Sequence, residues 1–87
     1  MHFIEGHGFE KQMAKLSKSL RFKVRERMCL LVVDSSHPLL NDHKLNPPFD
    51  GYRSINITGD YRLVYKQIGV DTYYLRAVGT HNQLYGS

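Results

Sequence analysis

The sequence predicts an α+β fold, in which a short N-terminal strand and two helices precede an antiparallel β-meander and the helices pack on one sheet face. Three observations predict it. Apolar residues recur at intervals of three or four up to Val33, the period changes to two from Tyr52 onward, and the later apolar runs are separated only by short turn signals. Connections that short join antiparallel neighbours, because a parallel crossover needs a dozen or more residues.

Each element has its own justification. Phe3-Ile4-Glu5 reads as a first strand closed by Gly6 and Gly8. Phe9, Met13 and Leu16 form the apolar stripe of a first helix, with Lys11, Lys15 and Lys18 on its wet side. A second helix starts after Ser17 or Ser19, either of which can cap it. Its stripe is Leu20, Val24, Met28 and Leu31, and it should stop near Asp34-Ser35-Ser36, before Pro38. From His37 to Gly51 the chain reads as a long polar loop, in which Pro47-Pro48 forbids a helix and holds Phe49-Asp50-Gly51 in a turn. Tyr52–Ile57, Tyr61–Gln67 and Thr72–Val78 are the three strands of the meander, joined by Thr58-Gly59-Asp60 and Gly69-Val70-Asp71.

Residues 1–87 are expected to form a single domain, since a chain of this length supports one core. One cysteine, Cys29, allows no internal disulfide and no thiolate metal site; within Met28–Val33 it reads as a small buried hydrophobe. Such cysteine usage suits a reducing compartment, and the expectation is a cytoplasmic protein. No secretory pattern is read at the start, and the longest apolar run, Met28–Val33, is far short of the ~20 residues a membrane-crossing helix needs. Twelve Lys and Arg against eight Asp and Glu leave a net charge of +4, which suits a polyanionic partner such as nucleic acid.

Strand alternation sorts the faces of the meander. Ile55, Ile57, Leu63, Tyr65, Leu75 and Ala77 are expected to face the helices. The other face then carries Arg62, Lys66 and Arg76 among Tyr52, Tyr74, Ser54 and Asn56. Cations interleaved with aromatics neutralise phosphates while bases stack on the rings. An ordinary solvated sheet face commonly carries the same residue types.

Proton-transfer groups come from the five histidines. His2, His7 and His37 read as surface or loop residues, whereas His43 lies in the long polar loop and His81 just past the last strand. Two imidazoles titrating near neutrality can share acid and base roles in one turnover. RNA cleavage needs that pair, together with a cation on the crowded phosphorane, for which Arg62 or Arg53 offers planar bidentate donors. The acids are scattered, with no carboxylate pair at ligand spacing, so no metal site and no cofactor is predicted. No glycine-rich phosphate loop precedes a helix, and no serine sits in a nucleophile elbow.

Four stretches taken together, Asp42-His43-Lys44-Leu45, Gly51-Tyr52-Arg53-Ser54-Ile55, Gly59-Asp60-Tyr61-Arg62-Leu63-Val64-Tyr65 and Gly79-Thr80-His81-Asn82-Gln83-Leu84-Tyr85, resemble the RelE superfamily of bacterial toxins, and its YafQ-like branch most closely. The resemblance implies a RelE-like fold and the toxin of a type II toxin–antitoxin system. Its implied activity is that of a metal-independent endoribonuclease, an mRNA interferase cutting message on the ribosome. By motif position, His43 and His81 match the family's catalytic histidines and Asp60 its catalytic aspartate. Tyr85 matches an aromatic near the reacting nucleotide, and Arg62 the arginine at the scissile phosphate. Arg53, Asn56, Lys44, Lys66 and Arg76 are the implied RNA-binding residues. The implied partners are a cognate antitoxin, mRNA and the ribosome, with operator DNA bound only through the toxin–antitoxin complex and no membrane.

The pattern departs at Asn56, where the branch can carry a histidine, and an amide exchanges no proton at neutral pH. The base role then falls to His43 and the acid role to His81, with the reverse assignment, or Asp60 as base, left open. Two other classes of function compete: a non-catalytic RNA- or ribosome-binding domain of the same fold, and a structural partner that binds another protein by its sheet edge or helices. Asp60 is also explained by turn chemistry, and Tyr85 by packing over the end of the sheet.

Overall fold

The computed structural model describes residues 2–86. The chain runs β1 (His2–Glu5), α1 (His7–Ala14), α2 (Lys18–Val33), β2 (His43–Lys44), β3 (Arg53–Thr58), β4 (Tyr61–Gly69), β5 (Thr72–Thr80) and α3 (His81–Tyr85). The strands form one sheet in the order β1-β5-β4-β3-β2. The predicted meander is present as β3-β4-β5, and β1 closes its far edge parallel to β5. The α+β architecture read from the sequence is therefore the one observed.

Both predicted helices form for the predicted reasons. The Ser17 hydroxyl accepts from the Leu20 N–H and starts α2. Helix α2 runs to Val33, beyond which Asp34 leaves helical geometry. Phe9 and Met13 from α1 and Val24 and Leu31 from α2 meet Ile55, Ile57, Leu63, Tyr65, Leu75 and Val78 in one core. Leu40, fully buried, plugs the same core from the loop beyond α2.

Alternation misassigned one residue in β5. Val64 pairs with Ala77 but Tyr65 pairs with Leu75, so Arg76 is the extra residue of a bulge. The bulge reverses the parity beyond it: Val78 joins the core cluster, and Ala77 falls opposite Val64 on the other face. That face is also less open than expected. Ser54, Val64, Ala77 and Gly79 are all buried on it. Part of the cover is α3, a third helix absent from the predicted architecture. An added Cβ on Gly79 would lie 2.8 Å from Gln83 Oε1 and 3.4 Å from Gln83 Cβ, so glycine leaves room for the side chain that completes the α3 cap. Cys29 is a further correction: it is exposed on α2, because the buried stripe passes through Val24 and Leu31.

The long loop also contains structure that periodicity did not reveal. His43–Lys44 pair antiparallel with β3, His43 opposite Ser54 and Lys44 opposite Arg53. Two residues cannot hold an edge strand by ladder bonds alone, and other contacts anchor this one. The Asn56 N–H donates to the Leu40 carbonyl at 2.7 Å, and the Leu45 N–H to the Tyr52 carbonyl at 3.0 Å. Between them Asp42, largely buried, accepts from Arg53 Nε at 2.8 Å and from the Tyr65 hydroxyl. The Asp42 carboxylate thus ties the start of β2 to both β3 and β4 from the helix side of the sheet.

Burial first, and the hydrogen bond to Asp42 second, push the Tyr65 phenol well above its ordinary range, so it stays a neutral donor. Loss of that hydroxyl in Tyr65→Phe is expected to cost about 2 kcal/mol at neutral pH, as for other hydrogen bonds to charged groups. A raised folded-state pKa contributes stability that is complete below the unfolded tyrosine pKa of ~10 and is lost as pH rises above it. The difference between parent and variant should accordingly shrink in denaturant unfolding series taken through that alkaline range. Gly79→Ala sets its Cβ against Gln83 Oε1, takes that oxygen off the Thr80 N–H and should cost about 1 kcal/mol, read in the same unfolding measurement.

Candidate active site

A cleft of about 370 Å³ opens on the sheet face opposite α1 and α2, lined by Asn41, His43, Leu45, Asn46, Pro47, Ser54, Arg62, His81 and Tyr85. Its titratable lining is two imidazoles, a guanidinium and a phenol, with no carboxylate. Three separate pieces of local structure deliver these groups.

His43 comes from β2. Asn41 takes a left-handed backbone conformation with φ of 46°, which asparagine tolerates better than most residues. The turn lets the chain leave buried Leu40, point the Asp42 carboxylate to the helix side and set His43 on the cleft side, opposite Ser54. His43 Nδ1 lies 2.8 Å from the Asn41 carbonyl. A carbonyl only accepts, so Nδ1 carries the proton and the neutral ring keeps its lone pair on Nε2.

His81 comes from the first turn of α3. Thr80 caps that helix: its hydroxyl accepts from the Gln83 N–H at 3.2 Å, and Gln83 Oε1 accepts from the Thr80 N–H at 2.8 Å. Thr80-x-x-Gln83 is a capping box, a signal legible in the sequence that the prediction passed over. The His81 N–H donates to the Asp60 carbonyl at 3.1 Å, which pins α3 to the β3–β4 turn. One helical turn on, the Tyr85 ring meets His81 edge-on at 4.8 Å and Phe49 at 5.6 Å.

Arg62 comes from β4, where its Nη1 donates to the Gly59 carbonyl at 2.9 Å and the Tyr61 carbonyl at 3.0 Å. These bonds fix the guanidinium against the turn while its remaining donors stay available to the cleft. Ser54, 1% exposed, and Tyr85 each hold a buried hydroxyl without a protein partner.

Four residues singled out from sequence, His43, Arg62, His81 and Tyr85, therefore share one cleft. Asp60 does not line it; it is exposed in the turn and contributes its backbone carbonyl to His81. Arg53 belongs to the Asp42 clamp, on the strand parity it shares with Ile55. Asn56 sits opposite Arg62 on the cleft face, outside the lining, with its amide oxygen buried and unpartnered. Lys44 and Lys66 line a neighbouring groove, and Arg76 packs over the Phe49 ring at 5.6 Å. Phe49 was missed: its position in the turn gave no hint that it would meet both Arg76 and Tyr85. Among the described residues, no three His, Cys, Asp or Glu side chains gather as a metal-binding group, and no helix is long and apolar enough to cross a membrane.

No family model and no curated protein matches the sequence. Solved structures do. The toxin YafQ from E. coli superposes with a TM-score of 0.79 at 24% identity, over 97% of both chains. The E. coli DinJ–YafQ toxin–antitoxin complex gives 0.78 at 24% identity, over 97% of this chain and 96% of that one. A YoeB/ParE toxin from Agrobacterium tumefaciens gives 0.79 at 16% identity, over 93% of this chain and 99% of that one. Across nearly its whole length, the chain has the fold that these toxins share.

Proposed function

We propose that this chain is the toxin of a type II toxin–antitoxin pair and acts as an endoribonuclease on mRNA. The observation that carries the reading is the cleft: two imidazoles, one guanidinium and one aromatic, brought together from β2, β4 and α3 with no carboxylate among them. Such a set favours an anionic substrate and supplies every group that phosphodiester transesterification needs.

In this reading His43 Nε2 takes the proton of a ribose 2′-hydroxyl. The 2′-oxygen attacks the adjacent phosphorus, the bond from phosphorus to the 5′-oxygen breaks, and His81 protonates that leaving oxygen. The products are a 2′,3′-cyclic phosphate and a 5′-hydroxyl. Arg62 holds the non-bridging oxygens as negative charge builds on them, and Tyr85 offers a ring to the neighbouring base. Asn56 lies outside the lining and takes no part in proton transfer, so the loss of an imidazole there leaves the cleft with both its acid and its base. The substrate and the fold together point to a cognate antitoxin as partner, to message on the ribosome as the physiological target, and to the cytoplasm as the place of action. Operator DNA would be met only by the toxin–antitoxin complex. The basic, aromatic cleft face is what an antitoxin would have to cover or distort.

Induction of the chain in growing cells is expected to arrest growth and deplete full-length message within minutes. His81→Ala should abolish both effects, because loss of a general acid costs about 100- to 10,000-fold in rate. His43→Ala should do the same; full activity in that variant would move the base elsewhere. Intact message and normal growth with the parent chain would leave a binding domain of the same fold as the better reading. Arg62→Ala should lower kcat by about 100- to 1,000-fold, the loss seen when a charge-stabilising donor is removed, with KM little changed.

A further inference from the structure

Beside the catalytic cleft lies a second groove of about 400 Å³, lined by Lys44, Leu45, Gly51, Tyr52, Arg53, Lys66 and Gln67. Leu45 lines both, so the two adjoin at that residue, just past β2. Tyr52 lies next to β3 opposite Lys66, and the Lys66 ammonium sits 5.1 Å from the centre of the Tyr52 ring. Lys44 and Lys66 are both exposed, and neither ammonium has an acidic partner among the ion pairs of the described residues. Gly51, with φ of 88°, leaves the rim open, since a side chain there would meet nothing within 4 Å. The groove therefore has an aromatic wall, an aliphatic wall and two free cations, and it lacks any proton-transfer group.

We infer that this groove is a second nucleotide subsite, which takes the base and phosphate of the nucleotide adjoining the one in the catalytic cleft. The inference rests on the nuclease reading and adds to it the place where single-stranded RNA is held away from the reacting bond. The base packs between Tyr52 and Leu45, and the phosphate lies between Lys44 and Lys66. Stacking on a ring tolerates any base, and ammonium groups read no sequence, so the subsite secures the strand without choosing it. Duplex RNA does not fit, because its bases are not free to enter a groove of this kind.

The test uses cleavage of a synthetic message by the whole chain, on free RNA or translating ribosomes according to where the parent acts. Lys66→Gln and Tyr52→Leu lie outside the catalytic cleft and should raise KM with kcat unchanged, Tyr52→Leu by about 5-fold or more. On free RNA, Lys66→Gln should also lower the slope of log affinity against log salt by about 0.7, the value for one phosphate contact on a single strand. A message carrying an abasic site next to the cleaved nucleotide should show the same rise in KM with the parent, and no further rise with Tyr52→Leu. Unchanged thermal unfolding of both variants separates lost contact from lost structure. If the parent cleaves but both variants keep its KM, or if kcat falls while KM stays, the groove is not a subsite. A parent that cleaves no message at all sinks the nuclease reading itself, which is a different result.

Discussion

The Asp42 carboxylate is the contact on which the geometry of the cleft depends. It is largely buried on the helix side of the sheet, bridging Arg53 of β3 and Tyr65 of β4. Its neighbour His43 faces the other side. A two-residue edge strand without this tether would fray, since so few ladder bonds cannot offset the entropy of ordering it. The tether is strong because it is partly buried and multivalent: a charge-assisted bond from Arg53 and a second bond from a phenol that burial keeps protonated. An exposed ion pair alone would contribute little. The same backbone that carries the clamp on one face carries the His43 imidazole on the other.

Much of this was legible in the residues. The two long helices, the strand periods and the turn signals fixed the layers, and alternation correctly placed Ile55, Ile57, Leu63 and Tyr65 in the core. Arg53, taken as a phosphate donor, instead holds Asp42 on the helix side, on the strand parity it shares with Ile55. Of the five residues that the motif resemblance groups together, His43, Arg62, His81 and Tyr85 line one cleft and Asp60 does not. What escaped was of three physical kinds. A bulge at Arg76 shifts parity without any compositional mark, so Ala77 was put on the wrong face. A strand of two residues has no period to detect, so β2 was read as loop. Helix α3 did have a mark, the Thr80-x-x-Gln83 capping box, but its five residues are too few to show an apolar stripe.

The open face has its own logic. Ser54, Val64, Ala77 and Gly79 are buried on it, and α3 packs on β5 with Gln83 and Leu84 over Gly79. The aromatic cluster above them, Phe49 with Tyr85 and Tyr85 with His81, joins the Pro47-Pro48 turn to the C-terminal helix by edge-to-face contacts. Arg76, displaced from register by the bulge, is the residue that caps Phe49. Arg76 thus stays on the face where alternation puts it, although the bulge turns Ala77 and Val78 about.

Beside the Asp42 clamp, the β3–β4 hairpin holds both candidate proton-transfer groups by main-chain bonds: the Asn56 N–H binds the Leu40 carbonyl ahead of His43, and the Asp60 carbonyl binds the His81 N–H. Side-chain replacement at Asn56 or Asp60 leaves these two bonds in place, since neither uses a side chain. Its register, in contrast, is a single shared ruler. Insertion or deletion of one residue between Asn56 and Asp60 would move the two imidazoles relative to each other, so the length of this turn, together with the left-handed Gly59 within it, sets their separation.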